Sequence, residues 1–296
     1  MAFRKIKMIR VLVLGSRGML GHQVMKALDN HGDLFEVLDV SHKEKFRDRS
    51  IVCDLMDKGA SKELIEGIRP DVIVNCVGVL IGGSEDSERA IYLNSYLPHF
   101  LAGILNSYGG KLIHISTDCV FSGLEGGYTE QHISDGTGTY AITKSLGEVV
   151  SQSHLTLRTS IIGPELKENG EGLLNWFLQQ TGRVQGYTDA IWSGVTTLVL
   201  AEVIVESILH DLSGLYQVTN NSTISKYDLL NLIKLSSKKE ISIQPVAMKP
   251  LDKSLVDTRR EISMAIPSYP EMVSEMICDI AANCEQYPHI VVRGSL

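Results

Sequence analysis

No C-x-x-C pair occurs among the five cysteines, Cys53, Cys76, Cys119, Cys278 and Cys284. An odd count without that spacing excludes a zinc site and a disulfide framework, and fits a reduced chain. Cys53 and Cys76 fall in or beside expected strands, where cysteine acts as a small buried apolar group. Long apolar runs are missing too, with nothing approaching the ~20 residues that span a bilayer. The basic start, Met1–Arg10, leads into the apolar run Val11–Leu14, which ends at Gly15. That run is too short for the core of a signal peptide. Positive charge is not in excess: 28 Lys and Arg stand against 35 Asp and Glu, a net charge of −7. The basic footprint of a nucleic-acid binder is therefore absent. Internal repeats, low-complexity tracts and flexible linkers are lacking as well. These absences lead us to expect a cytoplasmic chain with neither a membrane nor a nucleic acid as partner, and no metal.

What is present is an alternation. Apolar runs at Ile9–Leu14, Phe35–Val40, Val72–Cys76, Leu112–Ser116 and Leu155–Arg158 are separated by amphipathic segments at Leu20–Asn30, Ala60–Arg69, Ser87–Tyr108 and Tyr140–Ser153. Near-continuous apolar strands between helices indicate an α/β fold, a doubly wound parallel sheet covered on both faces. At 296 residues the chain exceeds one simple core, so a smaller α+β lobe is expected beside the sheet. The rhythm changes near residue 160. We expect a dinucleotide-binding domain over 1–162, joined by 195–219, and a substrate-binding lobe from 163–194 and 220–296. Expected elements there are helices at Leu173–Gln180, Thr197–Asp211, Ser225–Ser236 and Glu271–Cys284, and strands at Leu215–Thr219 and Ile241–Val246.

The first apolar run opens into Gly15-Ser16-Arg17-Gly18-Met19-Leu20-Gly21. Three glycines at this spacing, between a buried strand and a helix, allow a tight turn and close approach of the backbone to a pyrophosphate. The helix N-terminus then faces the negative charge. Asp39 ends the next strand, where an acid hydrogen-bonds the adenosine ribose and favours NAD. Arg17, Lys43 and Lys45 could instead accept the 2′-phosphate of NADP. Asp54, followed by Leu55, could meet the adenine, or else be a capping aspartate. Cys76-Val77-Gly78 would pass the cofactor at its ribose and phosphates.

Tyr140 and Lys144 form the chain's one Tyr-x-x-x-Lys pair. On a helix the two share a face, about 5–6 Å apart at Cβ. Lowering a phenol from its free pKa of about 10 by three units takes about 4 kcal/mol, and a neighbouring cation is one of the few sources. The pair follows a Ser116-Thr117-Asp118 strand end.

Together these parts resemble the extended short-chain dehydrogenase/reductase superfamily, and within it the dTDP-4-dehydrorhamnose reductases and related nucleotide-sugar reductases. The resemblance runs through Gly15–Gly21, Leu38–Val40, Ile68–Asn75, Leu93-Asn94 with Pro98, Ser116–Gly123, Tyr140–Lys144, Leu157–Thr159 and Lys249–Asp257. It implies a catalytic trio in which Tyr140 donates a proton, Lys144 holds the nicotinamide ribose and lowers the Tyr140 pKa, and Thr117 orients the substrate oxygen. Ser116 is the alternative hydroxyl. The implied substrate is a 4-keto deoxysugar on a nucleoside diphosphate, in polysaccharide or nucleotide-sugar biosynthesis. The implied cofactor is NADPH, with NAD as the other candidate, and family analogy implies a homodimer. The chain departs from the family at Cys119 (usually Tyr), Gly136 (often Pro), Ala141 (usually Gly) and Ser160-Ile161 (usually Trp-Val). These changes bear on the substrate more than on the reaction class. In the lobe, Trp192 or Tyr187 could stack on a base, and Arg183, Lys249 or Arg259 could meet the diphosphate; packing or plain solvation explains each equally well. Two other functions fit the same scaffold: a nucleotide-sugar epimerase, and a non-catalytic regulatory subunit such as that of methionine adenosyltransferase. A dehydratase is disfavoured, because Thr117 is followed by Asp118-Cys119 rather than an Asp-Glu pair.

Overall fold

The structure, a computed structural model, describes residues 8–292 apart from Glu85. Its main sheet contains β1 (Ile9–Leu14), β2 (Phe35–Ser41), β3 (Ile51–Val52), β4 (Val72–Asn75), β5 (Lys111–Thr117), β6 (Leu155–Thr159) and a last strand at Gly214–Gln217. Their order is β3-β2-β1-β4-β5-β6, with Gly214–Gln217 at the far edge. The pairs β1–β2, β1–β4, β2–β3 and β4–β5 are parallel. This is the expected doubly wound order, and its direction of growth reverses between β1 and β4. Ligands of such sheets bind outside the carboxyl ends of the strands at that reversal. Val11–Leu14 of β1 are all fully buried, as a strand covered on both faces requires.

The chain divides into two compact units. The first comprises the described residues of Met1–Ser116, Thr143–Leu157 and Ala201–Leu215; the second, those of Thr117–Ile142, Arg158–Leu200 and Tyr216–Leu296. Segment 117–142, which the sequence rhythm groups with the nucleotide domain, belongs to the second unit. Its contacts explain why. Tyr128 bridges Leu255, the Glu130 carboxylate accepts from Thr258 and from the Gln217 amide, and the Phe121 ring stacks on Tyr128 at 4.2 Å.

Helices α1 (Gly21–Asn30), α2 (Lys58–Ile68), α3 (Ser87–Ala90), α4 (Leu97–Asn106) and α5 (Thr139–Leu146) cover the sheet connections. The amphipathic stretch expected as one helix over Ser87–Tyr108 is interrupted by a π-helical run, Ile91–Tyr96. Helix α5 ends earlier than expected because the chain touches a neighbour at Gly147. A Cβ there would fall 1.8 Å from the Asn94 carbonyl oxygen.

The second unit contains the strand expected over Ile241–Val246, observed as Ser242–Val246, together with short strands that sequence patterning missed. Arg183–Tyr187 pairs with Ser242–Val246, Ile161–Ile162 with Val195–Thr196, and Ala190–Trp192 with both Ile224–Ser225 and Leu251–Asp252. Ser225 caps the helix Lys226–Ser237 as expected, accepting the Asp228 amide. A reciprocal Ser268/Glu271 cap starts Tyr269–Ala282. Among the described residues no helix is long and apolar enough to cross a membrane.

Candidate active site

The glycine loop follows β1 directly. Gly15 has φ +84°, a left-handed conformation that favours glycine. Its amide donates to the Val40 carbonyl, and a Cβ on it would press on Val77 at 3.0 Å. At Gly21 a Cβ would lie 2.1 Å from the Gly15 carbonyl oxygen, so the start of α1 rests on the loop with no space for a side chain. No side chain caps α1, and its first turn carries no acid, which leaves a positive helix end for an anion. Ser16 turns inward, its hydroxyl 3.4 Å from the Val40 carbonyl. Leu20 is buried, Met19 half-buried and Gly18 exposed. Cys76, Val77 and Gly78 leave β4 beside Gly15, and the Cys76 amide donates to the Leu14 carbonyl. Burial pushes the Cys76 thiol up to about 12. These backbone cradles fit a dinucleotide.

Asp39 lies in β2, as the sequence reading placed it, with its carboxylate turned inside. Its side chain is fully buried and pairs with Arg47, Nε to Oδ1 at 3.1 Å. Arg47 also donates to the Val37 carbonyl at 2.8 Å and to both oxygens of Asp29. A sealed carboxylate has no surface to offer a ribose. Arg17 pairs with Glu44 at 2.7 Å and donates to the Lys45 carbonyl. Asp54 is exposed, accepts the Met56 amide and lies 3.5 Å from His42. Leu55 is a core residue.

Lys144 is buried in the first unit. Its ammonium donates to the Ile115 carbonyl at 2.6 Å, and a Cβ on Gly78 would lie 4.0 Å from Nζ. Lys144 thus stands against the end of β4, at the reversal of the sheet. Burial pulls its pKa down to about 8, with Glu148 acting in the opposite sense. Burial, then Lys144 and then His99, hold His114 well below the ordinary histidine value; it packs neutral against Asn75. Asn94 ties this region together. Its amide accepts the Val79 N–H at 2.8 Å and donates to the Val79 carbonyl and the Thr143 hydroxyl.

In the second unit, Thr117 accepts the Cys119 amide and donates to Asp118, both at 3.1 Å. Tyr140 is half-buried and shares a hydrogen bond with Thr117. Burial raises its phenol pKa, Cys119 and Asp118 add to this, and the Thr117 bond opposes it. The shift is therefore upward, where the resemblance implied a lowered value. The cause is desolvation of a phenolate. Burial also pushes the Cys119 thiol up to about 11. Gly136, where the resemblance leads one to expect proline, donates its amide to the Val120 carbonyl at 2.8 Å. Proline lacks that donor.

Of the other candidates, Trp192 is buried against Tyr269, which makes it packing. Arg259 stacks on Tyr216 at 4.0 Å and pairs with Glu261. Tyr187, Arg183 and Lys249 are exposed. The residues that sequence reasoning missed are Arg47, Asn94 as a brace, and Glu148. Glu148 had one available signal, its position four residues beyond Lys144. Among the described residues no group of acids, histidines and cysteines could hold a metal.

Comparison with known proteins adds the following. A dTDP-4-dehydrorhamnose reductase from Streptomyces griseus is 32% identical over 142 residues, 47% of this chain and 43% of that protein. The methionine adenosyltransferase 2 subunit beta of Xenopus laevis is 32% identical over 141 residues, 47% of this chain and 41% of that one. The matched stretch thus covers less than half of either relative. The crystal structure of dTDP-4-dehydrorhamnose reductase from Bacillus anthracis str. Ames in complex with NADP superposes with a TM-score of 0.79 at 20% identity, covering 92% of this chain and 100% of that one. That likeness establishes the fold. The family described as RmlD substrate binding domain matches residues 9–260, most of the chain, and the protein belongs to it.

Proposed function

We propose that the protein is an NADPH-dependent reductase that acts on the 4-keto group of a deoxysugar carried by a nucleoside diphosphate. One observation carries this reading: a phenol held protonated by burial, bonded to Thr117, one helical turn before a buried lysine on α5. NADPH, when bound, supplies the hydride. Gly15, Ser16, Gly18 and Gly21 with the start of α1 would hold its pyrophosphate, and Cys76–Gly78 would line its path. Lys144 would hold the nicotinamide ribose. As negative charge develops on the substrate oxygen, Tyr140 gives up its proton to it, and Thr117 orients that oxygen. A protonated phenol suits reduction, because the donor must carry its proton when the hydride arrives. Arg17 would exchange Glu44 for the 2′-phosphate. The sealed Asp39 does not oppose that phosphate, which supports NADP over NAD.

The names of the two relatives point in different directions, one to a reductase and one to a subunit. The Thr117, Tyr140 and Lys144 set favours the reductase. The test is NADPH and NADH oxidation against a panel of nucleoside-diphosphate 4-keto sugars. Tyr140→Phe should lower kcat by about 10²–10⁴-fold with NADPH binding retained. No oxidation with any member of the panel would reject the substrate class. Full biological activity of the Phe variant would favour a non-catalytic subunit.

A further inference from the structure

We propose that Glu148, anchored by Ser116, is a positioning residue that keeps Lys144 in its charged form. The inference rests on the reductase reading for its catalytic meaning, and on geometry for its substance. Glu148 follows the end of α5 at Leu146, in a turn where the Gly147 amide still bonds the Thr143 and Lys144 carbonyls. A carboxylate at a helix C-terminus opposes the helix dipole, so local structure does not favour it there. Ser116 is buried at the end of β5, and its hydroxyl donates to Glu148 Oε1 at 2.6 Å. That short, charge-assisted bond fixes the acid. It also engages the hydroxyl that was the alternative to Thr117, which gives Ser116 a different task.

Lys144 needs such help. It is 6% exposed, and a carbonyl at 2.6 Å accepts from its ammonium without neutralising it. A buried ammonium tends to shed its proton. The titratable groups of this region come from three elements. Glu148, beyond α5, acts in favour of the charge. His114 on β5 is held neutral. His99 on α4 is exposed and engaged with the Leu146 carbonyl. One turn earlier on α5 stands Tyr140, a neutral phenol. Glu148 is thus the favourable charge in this surrounding. A lysine that lost its proton could not hold a ribose hydroxyl pair by donation alone, nor stabilise a phenolate.

The experiment reads Lys144 directly. Protein labelled at the lysine ε-carbon with ¹³C is titrated by NMR, with Lys144→Arg assigning the resonance. The expected wild-type midpoint is near 8, and Glu148→Gln should lower it by about one unit or more. Glu148→Asp, which keeps the charge, should return it most of the way. Ser116→Ala, which frees the carboxylate, should give a smaller fall in the same direction. The basic limb of the kcat/KM profile should move with the midpoint. An unchanged midpoint in Glu148→Gln overturns the proposal. If that variant fails to fold, an unchanged midpoint in Ser116→Ala does so. Failure of the wild-type protein to reduce any carbonyl substrate counts against the reductase reading instead, and leaves the NMR result standing.

Discussion

Replacing Arg47 by methionine isolates the cost of sealing an acid inside the nucleotide-binding unit. Methionine keeps most of the apolar stem but leaves Asp39, whose side chain is fully buried, without its cation. Removing one partner of a buried ion pair costs about 3–5 kcal/mol. An independent ceiling comes from protonation. An isolated aspartic acid can be neutralised at pH 7 for about 4 kcal/mol, from the three-unit distance between pH 7 and its ordinary pKa. The variant takes the cheaper route, so the expected loss at pH 7 is about 3–4 kcal/mol. At pH 5 neutralisation costs only about 1.5 kcal/mol, so the gap between wild type and variant should narrow by about 2 kcal/mol. Asp29 is 44% exposed and is rehydrated when Arg47 goes, so its share is small. Urea unfolding followed by far-UV circular dichroism is the assay. Trp176 and Trp192, the two tryptophans, both fall in the second unit and would report on the wrong one. Arg49→Met is the control, because Arg49 is 65% exposed and 3.7 Å from Asp29; it should change stability by less than about 0.5 kcal/mol. A loss under about 1 kcal/mol for Arg47→Met at pH 7, or a gap that does not narrow at pH 5, would refute the reasoning.

Two further outcomes are expected. Gly21→Ala puts a methyl group 2.1 Å from the Gly15 carbonyl oxygen, so the loop must shift. NADPH binding, measured by fluorescence titration, should weaken by about tenfold or more, while the circular dichroism spectrum is kept. The pH dependence follows from Lys144, whose pKa is pulled down to about 8 by burial. It is charged below that value and neutral above it, so kcat/KM should fall as pH rises through about 8. Stability moves the other way. The unfolded chain binds the lysine proton more tightly between about 8 and 10, so the contribution of Lys144 to stability grows across that window. A rate that falls together with the thermal midpoint would instead indicate alkaline unfolding.

The sheet was legible because β1 and β4 are nearly continuous apolar runs, a pattern produced by burial on both faces. Gly15, Gly18 and Gly21 were legible because their spacing encodes a backbone requirement rather than a side-chain contact. The burial of the Asp39 carboxylate was hidden for a physical reason. Its neutralising partner lies eight residues on, in a loop with no periodic signal, and chain position alone cannot show where a carboxylate turns. The direction of the Tyr140 shift was hidden for a similar cause: a helical interval reveals a neighbouring cation but not how much water is excluded. The short strand at Arg183–Tyr187 alternates exposed and buried positions, but one of its two buried residues is Gly186. It carries too little hydrophobic contrast to stand out.

The Asn94 amide grips both the donor and the acceptor of Val79 and also holds the Thr143 hydroxyl. One rigid group therefore clamps the segment just past Gly78 to the residue just before Lys144. The two segments share a single positional tolerance, and cannot drift apart without breaking either the bond to Thr143 or the pair to Val79. Asn94 lies within the π-helical run Ile91–Tyr96. One side chain thus works as a fastener between two segments that lie far apart in the chain.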